Sequence, residues 1–307
     1  PVFDFPEGPK KLSGCTADLI TDDALAFIES SGEQPFSISL HFREPHEPYG
    51  PMPKEDQSAV AEKSLQLPDL PGLDRSKVER DTRAYLAAVH AIDRNIGRLI
   101  DSLRKKGIWD RTVVVFTSDH GYHIGQHLVE GKGNAHWIAG GVRGPRRPNL
   151  WDLSLRVPLL IRWPGVTQPG MVINQMVSNL DTFPTLLAML DVPAPARVRQ
   201  EGIDLSPLLR GTTAPGREAL FFQYDLHNTA SARLRAVRTK RWKLVRRFDA
   251  ARLDELYDLE ADPDEMQNLL PANPVTQPLK TELVTVRRDL ENRLQDWMKS
   301  IDDPLLR

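Results

Sequence analysis

The sequence has very little cysteine, and this scarcity excludes two kinds of structure. Its one cysteine, Cys15, can form no intrachain disulfide. It also cannot belong to a zinc–thiolate cluster, which needs several thiolate ligands. No apolar run reaches the roughly 18 residues that suggest a transmembrane helix, so we expect no membrane span. No signal peptide is visible. Because the chain begins at Pro1 rather than Met, we expect the natural N-terminus to lie upstream.

An excess of either charge is also lacking. The sequence has 40 Lys and Arg residues against 42 Asp and Glu residues, for a formal net charge of -2. A nucleic-acid-binding surface usually shows a clustered basic excess, so we expect no nucleic-acid partner. The 307 residues, 40% hydrophobic and 27% charged, are typical of a globular protein of one large domain or two domains.

Hydrophobic periodicity indicates alternating helices and strands. Helical spacing of apolar residues predicts amphipathic helices over residues 16–30, 78–106, 181–190 and 278–299. Residues 36–42 alternate between apolar and polar, which predicts a strand. The continuous apolar run of residues 112–117 predicts a strand buried on both faces, and another strand is predicted near residues 156–163. Residues 1–14 and 52–75 are predicted to be irregular.

These elements predict an α/β fold. A long helix followed directly by a buried strand indicates a parallel sheet with helical crossovers. Closely spaced strand candidates follow at residues 219–224, 234–239, 242–246 and 255–258, and they predict a small C-terminal antiparallel sheet on which the last helix packs. We therefore predict two domains, comprising residues 1–213 and 214–307.

Polar residues follow several of the predicted strands. Asp119 and His120 come directly after the buried strand, where sites form in open α/β sheets. Lys132 lies between two glycines, which let a backbone approach a ligand closely. His46 lies in a proline-rich loop after the first strand. Taken singly, each has an ordinary explanation: a capping carboxylate, a hydrogen-bonded loop histidine, a solvated lysine and a surface histidine.

The order of these motifs resembles the sulfatase family of the alkaline phosphatase superfamily. The shared order is His46, the long helix, the segment Thr-Ser-Asp-His-Gly at 117–121, Lys132, the strand Arg-Val-Pro-Leu-Leu-Ile-Arg-Trp-Pro-Gly at 156–165, and C-terminal motifs near residues 235–244 and 256–259. The resemblance runs from about Asp18 to Asp303, and it rests on many motifs in family order rather than on one rare motif.

The resemblance implies a fold, a function and a site. The implied fold is alkaline-phosphatase-like, with a mixed, mostly parallel sheet flanked by helices. Asp119 and His120 match metal-coordinating positions for a divalent ion, most often Ca²⁺. His46 matches a histidine that contacts sulfate or the leaving oxygen, and Lys132 matches a sulfate-binding lysine; both are therefore implied catalytic and substrate-binding residues. Family members use formylglycine, made from the Cys or Ser of a Cys/Ser-x-Pro-Ser-Arg motif, as the nucleophile, which is a form of covalent catalysis.

The sequence departs from the family at the nucleophile. Cys15 lies in Cys-Thr-Ala-Asp-Leu, which is not the formylglycine motif, and the family's N-terminal Asp-Asp pair and first Lys/His pair are absent. We therefore predict a C-terminal portion of a sulfuric ester hydrolase that is inactive by itself. The alternatives are a phosphoric or phosphonic monoester or diester hydrolase of the same superfamily, and a non-catalytic remnant.

The implied partner is a sulfate ester, either a small molecule or an oligosaccharide, and the parent enzyme is expected to be periplasmic or secreted. The long loop after Asp119 contains residues that could clamp a sulfated sugar by charge and stacking, or could simply be solvated: Trp137, Arg143, Arg146, Arg147 and Trp151. Three histidines of the same loop could either pack the site or contact substrate: His123, His127 and His136.

Overall fold

A computed structural model describes residues 1–134, 136–137, 148–212, 216–227, 231–249, 254–271 and 278–306. The chain divides into two compact units. The first contains Pro1–Val114 and Ile124–Leu128, and the second contains Val115–His123, Val129–Trp137 and the described residues from 148 to 306. The predicted domain division between residues 213 and 214 stays a prediction, because residues 213–215 lie outside the described residues.

The first unit is built from a hairpin and three helices. In chain order its elements are β1 (Val2–Phe5), β2 (Gly8–Lys11), α1 (Thr16–Ser30), α2 (Lys54–Ala61) and α3 (Arg75–Lys105). Helix α1 has the predicted bounds, and α3 begins three residues before and ends one residue before the predicted helix. The side chain of Asp74 accepts a hydrogen bond from the Lys77 amide at 3.0 Å and so caps the start of α3.

Two irregular predictions for this unit are wrong. The first residues form the antiparallel hairpin β1–β2, and residues 54–61 form α2. Helix α2 was missed because its sequence is mostly polar: only Asp56 and Val60 are buried, so the apolar period is too weak to detect. Its first turn does carry Glu55 and Asp56, which suit the positive end of the helix dipole.

The strand predicted at residues 36–42 does not form. Burial alternates along the segment as predicted, with the apolar side chains partly covered and the polar ones exposed. Phe36 and Ile38 pack against a buried cluster that includes Ile28 and Leu103. A strand also needs a hydrogen-bonded neighbour, and no such ladder forms for this segment among the described residues. Alternation alone therefore identified the buried face but not the secondary structure.

The later elements lie mostly in the second unit. In chain order they are β3 (Val114–Thr117), β4 (His123–Ile124), β5 (Val129–Gly131), β6 (His136–Trp137), α4 (Asp152–Leu155), β7 (Leu159–Arg162), α5 (Thr182–Met189), α6 (Ser206–Leu209), β8 (Leu220–His227), β9 (Ser231–Arg238), β10 (Trp242–Arg247), β11 (Glu255–Asp258) and α7 (Thr281–Ser300).

Strand β3 is less buried than predicted. Its side chains are partly or fully exposed, because its sheet contains just β3 and β7 among the described residues. On β7, Leu160 is 59% exposed. The continuous apolar run therefore predicted the position of the strand correctly, but the prediction that both of its faces are buried is wrong.

The predicted C-terminal sheet is confirmed. Strands β8 to β11 form one four-stranded antiparallel sheet in the order β11-β10-β9-β8. Helix α7 packs on it through Leu290, Leu294 and Met298, which join Val237 and Leu244 in one buried cluster. Among the described residues, no helix combines the length and the apolar character needed to cross a lipid bilayer.

A buried ion pair ties the chain end to this sheet. Arg235 of β9 and Asp303 have almost no exposed side-chain surface, and Arg235 also binds Asp225 at 2.7 Å. Burial alone would raise the pKa of Asp303, but the hydrogen bonds and charge of Arg235 outweigh burial and lower it. The folded protein therefore holds Asp303 as the carboxylate.

We expect Asp303→Asn to reduce the free energy of unfolding by about 3 kcal/mol at neutral pH, since it removes one partner of a buried pair. The folded pKa lies below the unfolded pKa, so this contribution is present above about pH 4 and is lost as pH falls through the folded pKa. Urea unfolding between pH 7 and pH 2 measures it. The exposed neighbour gives the control, Asp302→Asn. A stability difference that does not shrink at low pH would contradict the assignment.

Candidate active site

Asp119 lies in the loop that follows β3, as the sequence predicted, and its side chain points to solvent. It is 84% exposed. Oδ1 accepts a hydrogen bond from the His120 amide at 3.0 Å, which orients the carboxylate beside the imidazole. The loop backbone is held by Asn179, whose Nδ2 donates to the Ser118 carbonyl at 3.1 Å. The carboxylate is thus fixed in direction and open to a ligand.

His120 presents one ring nitrogen to this carboxylate. Its Nδ1 lies 2.9 Å from the Gly121 carbonyl oxygen, which can only accept, so Nδ1 donates. In the neutral ring Nε2 then carries a lone pair, and it lies 3.4 Å from Asp119 Oδ2. Two lone-pair atoms that lie this far apart match neighbouring ligands of one cation, because metal–ligand distances of about 2.3–2.6 Å at right angles separate ligands by roughly 3.3–3.7 Å.

This pair fits part of a metal site. The carboxylate suits a hard cation such as Ca²⁺, whereas an imidazole is more usual on a transition metal. Ca²⁺ takes six to eight ligands, and the described residues contain no group of three or more His, Cys, Asp and Glu that could hold a metal ion. Asp119 and His120 can therefore supply two ligands of a larger set.

Gly121 lets this loop pack tightly against α4. Its amide donates to the Ser154 carbonyl at 3.0 Å. A Cβ atom at position 121 would lie 2.0 Å from the Leu153 carbonyl oxygen, so no larger residue fits without backbone movement. The loop that carries Asp119 and His120 is therefore docked on the backbone of residues 153–154.

Lys132 lies in the turn between β5 and β6, partly exposed. The preceding Gly131 has φ +116, a conformation that favours glycine. The following Gly133 accepts a hydrogen bond from the Asn149 amide at 2.8 Å, and its backbone lies against the ring of Tyr224. The two glycines of the Gly-Lys-Gly motif therefore shape a turn that is attached to neighbouring chain on its C-terminal side.

His46 belongs to the first unit, whereas Asp119, His120 and Lys132 belong to the second. Its side chain is exposed, and Nδ1 lies 2.7 Å from the Glu47 carbonyl oxygen. Because that oxygen can only accept, Nδ1 donates and Nε2 faces away from this contact. The role of His46 stays a prediction.

Of the five residues proposed to clamp a sugar, Trp151 is the one whose side chain the structure describes, and that side chain is buried. Arg143, Arg146 and Arg147 lie outside the described residues, as do the side chains of Trp137 and His136. Trp151 is 1% exposed, and its Nε1 donates to the Tyr257 hydroxyl at 3.1 Å inside a buried cluster with Val129. A side chain so covered cannot stack on a sugar, so the proposed substrate contact of Trp151 is excluded.

The two described loop histidines pack rather than face solvent. His123 is fully buried, lies 3.0 Å from the Ser154 hydroxyl through Nε2, and contacts the edge of the Trp151 ring. His127 is 7% exposed and has the left-handed φ of 56. Of the two possibilities left open by the sequence, packing is the one observed for both.

A buried charge cluster lies beneath α4. Asp152 binds Lys243 at 2.9 Å and Arg238 at 3.0 Å, and Lys243 also binds Glu265 at 2.7 Å. Burial would raise the pKa of Asp152, but the Lys243 ammonium and the Arg238 guanidinium outweigh it and lower the pKa. Burial raises the pKa of Glu265. Sequence analysis missed this cluster, because its members lie up to 113 positions apart.

The single cysteine is no candidate nucleophile. Cys15 precedes α1 and is 6% exposed. Burial raises the pKa of its thiol, which disfavours the reactive thiolate.

A family model places these residues in context. The model described as sulfatase matches residues 3–192, which is more than half of the chain and includes all four predicted site residues. The chain belongs to the sulfatase family. A second model, described as N-sulphoglucosamine sulphohydrolase, C-terminal, matches residues 147–295. The predicted resemblance to sulfatases is thereby confirmed.

Characterised sulfatases are similar over most of this chain. An N-acetylglucosamine-6-O-sulfatase of Bacteroides thetaiotaomicron is 30% identical, covering 83% of this chain and 44% of the relative. An ulvan-active sulfatase of Formosa agariphila is 28% identical over 92% of this chain and 52% of the relative. A choline-sulfatase of Rhizobium meliloti is 28% identical over 89% of this chain and 56% of the relative. The chain thus spans about half the length of the curated relatives it matches.

Solved structures confirm the predicted alkaline-phosphatase-like α/β fold. A protein solved in complex with its substrate D-glucosamine-2-N,6-O-disulfate superposes with a TM-score of 0.78 at 23% identity, covering 99% of this chain and 74% of that chain. A phosphonate monoester hydrolase from Silicibacter pomeroyi superposes with a TM-score of 0.66 at 22% identity, covering 95% of this chain and 64% of that chain. At these identities the likeness concerns the fold alone.

Proposed function

We propose that this protein acts in the hydrolysis of sulfate esters, with Lys132 and Asp119 in the anion and metal parts of the active site. The carrying observation is that the Asp119 loop and the Lys132 turn are both hydrogen-bonded to the short segment 149–154. A negative ligand and a positive side chain presented from one support suit an anion bound beside a cation. Membership of the sulfatase family supports sulfate as that anion.

Each residue has a proposed role. Lys132 places a compact positive charge on the sulfate group. Asp119 and His120 hold a divalent cation, Ca²⁺ by family, which when bound supplies positive charge that stabilises the developing negative charge on sulfate oxygens. His46, by its match to the family motif, contacts the sulfate group or the leaving oxygen.

None of the 307 residues matches the nucleophile that the family uses. The family uses a formylglycine, but the Cys/Ser-x-Pro-Ser-Arg motif is absent from the 307 residues, and Cys15 is buried outside any such motif. No residue here fits that group, so no step is assigned to it. The proposed roles of the residues that are present are to bind the sulfate group and the cation, not to attack sulfur.

The 307-residue chain with Ca²⁺ is therefore expected to show no hydrolysis of an aryl sulfate above the buffer rate. The measurement is release of the coloured phenol, with a characterised sulfatase as the positive control. The full-length gene product, expressed with a formylglycine-generating enzyme, is expected to turn over. Clear hydrolysis by the 307-residue chain would show that it needs no formylglycine. Inactivity of the full-length product would favour the non-catalytic alternative.

We propose a sulfated carbohydrate as the substrate class. Two relatives are named for activity on ulvan and on N-acetylglucosamine-6-O-sulfate, and the similar solved protein was bound to a disulfated glucosamine. The choline-sulfatase relative shows that carbohydrate is not the sole substrate class among similar proteins. A panel of sulfated monosaccharides, ulvan oligosaccharides and choline sulfate separates these substrates by kcat/KM.

A phosphonic ester is the second candidate substrate, because a phosphonate monoester hydrolase shares the fold. Both anions are tetrahedral and would use the same cation and lysine. Comparing kcat/KM for matched aryl sulfate and aryl phosphonate esters decides between them. A higher value for the phosphonate would overturn the sulfate assignment.

A further inference from the structure

The loops of the candidate site share one support. Residues 149–155, which we call the anchor segment, contact the Asp119 loop and the Lys132 turn through backbone hydrogen bonds. Asn149 donates to the Gly133 carbonyl at 2.8 Å, and the Ser154 carbonyl accepts from the Gly121 amide at 3.0 Å. Only four residues lie between these two contact points. A shift of the anchor segment would therefore displace both the metal-binding and the anion-binding residues.

The side chain of Asn149 links the two ends of the anchor segment by hydrogen bonds. Asn149 is fully buried, and its Oδ1 accepts hydrogen bonds from the Ser154 hydroxyl at 2.9 Å and from the Trp151 amide at 3.3 Å. The Ser154 hydroxyl also lies 3.0 Å from Nε2 of the buried His123, which follows the Asp119 loop. These bonds hold the two contact points of the segment at a set separation.

The C-terminal sheet is linked to the anchor segment by ion pairs. Lys243 of β10 is fully buried and binds Asp152, and Arg238 of β9 binds the same carboxylate. Glu265 accepts a hydrogen bond from the Asp152 amide. Buried ion pairs rarely add net stability, but they do fix geometry, because a displaced charge would be left unpaired. The position of α4 is therefore set by a distant part of the chain.

We infer that the anchor segment sets the relative position of the Asp119–His120 pair and Lys132, with Asn149 and Ser154 as positioning residues. The roles of the two loops in this inference rest on the proposed function. The claim that the anchor segment holds both loops rests on the hydrogen bonds alone. It also assigns the C-terminal sheet a part in the active site: that sheet places the anion- and metal-binding loops through Lys243 and Asp152.

The test compares Asn149→Ala with Leu290→Ala in the full-length gene product and in the 307-residue chain. Leu290 lies in the buried cluster of α7, away from the anchor segment, so its loss destabilises the same unit without touching the loops. Amide hydrogen exchange is the first measurement. Because Asn149→Ala removes a buried acceptor, we expect exchange at Gly121 and at position 149 to rise about tenfold. The β9–β10 amides should keep their wild-type rates.

In Leu290→Ala, the exchange rates of the Gly121 and Asn149 amides, relative to the other amides of the unit, should equal those of the wild type. Unchanged exchange at both positions in Asn149→Ala, or a uniform rise over the whole unit, would overturn the inference. If Asn149→Ala does not fold, Ser154→Ala gives the second variant, which removes the hydroxyl bonds and leaves the backbone acceptor of Gly121 in place.

The second measurement uses Ca²⁺ alone and inorganic sulfate as probes of the full-length product. Asn149→Ala should weaken Ca²⁺ binding in calorimetry and inhibition by sulfate together, whereas Leu290→Ala should change neither below its melting transition. Weakening of one probe without the other would contradict a shared support. A wild-type protein that neither binds these probes nor hydrolyses sulfate esters would refute the proposed function. In that case hydrogen exchange would still test whether the anchor segment holds the two loops.

Discussion

Lys132→Ala is expected to lower kcat/KM for a sulfate ester by about a hundredfold to a thousandfold in the full-length gene product, comparable to the loss of one preorganised stabilising group at other active sites. In its proposed role, Lys132 acts as a point charge on an anion whose negative charge grows as the ester bond breaks. The backbone of the turn that carries Lys132 is held by the hydrogen bond from the Asn149 amide to the Gly133 carbonyl.

Steady-state kinetics on an aryl sulfate measures this effect, and the exposed Lys240 provides the control. Lys240 lies in the turn between β9 and β10. Lys240→Ala removes the same charge from the same unit, and we expect it to leave the kinetics unchanged. If Lys132→Ala lowered kcat/KM no more than Lys240→Ala, Lys132 would not belong to the site.

Asp119→Asn is expected to weaken Ca²⁺ binding by more than about a hundredfold, since loss of a mere outer-shell partner of a metal site commonly costs 10- to 100-fold. The variant keeps the shape and removes the negative charge, and ligand charge is a main determinant of Ca²⁺ affinity. Asp119 is 84% exposed and its neighbour His120 is 30% exposed, so the free energy of unfolding without metal should change little.

Isothermal calorimetry with Ca²⁺ and thermal unfolding in EDTA separate these effects. Asp191→Asn is the matched control, because Asp191 is exposed in the same unit and its φ of 53 is one that asparagine tolerates well. Equal Ca²⁺ affinities for the wild type and Asp119→Asn would remove Asp119 from the metal site. A large loss of stability in EDTA would assign it a structural role instead.

Elements with a strong local signal were predictable. Helix α3 shows a long apolar stripe and a capping Asp74, and the C-terminal strands alternate between short turns, so their bounds agree with the sequence to within a few residues. Helix α2 and the β1–β2 hairpin were missed, since neither carries a clear period. The segment 36–42 has the period of a strand but no partner, and pairing is not a local property.

The site divides in the same way. The location of Asp119 just beyond a strand could be read from the chain, because sites form at strand ends in open α/β sheets. Lys132 stood out only through its flanking glycines and its place in the family order of motifs. Asn149, Ser154 and Lys243 carried no visible signal, because their importance lies in contacts with residues far away in sequence. Trp151 was misread for the same reason: an aromatic residue in a polar loop suggests an exposed platform, whereas tertiary packing buries it against Tyr257.

The sequence by itself therefore determined the family, the elements with a strong apolar period, and which side chains are candidates for binding a cation and a sulfate. These depend on residue type and on spacing along the chain. Tertiary structure alone decided that Gly121 has room for no side chain beside the Leu153 carbonyl, and that two separate loops rest on one segment. Such features depend on distances between residues remote in sequence, which only the folded chain brings within hydrogen-bonding reach.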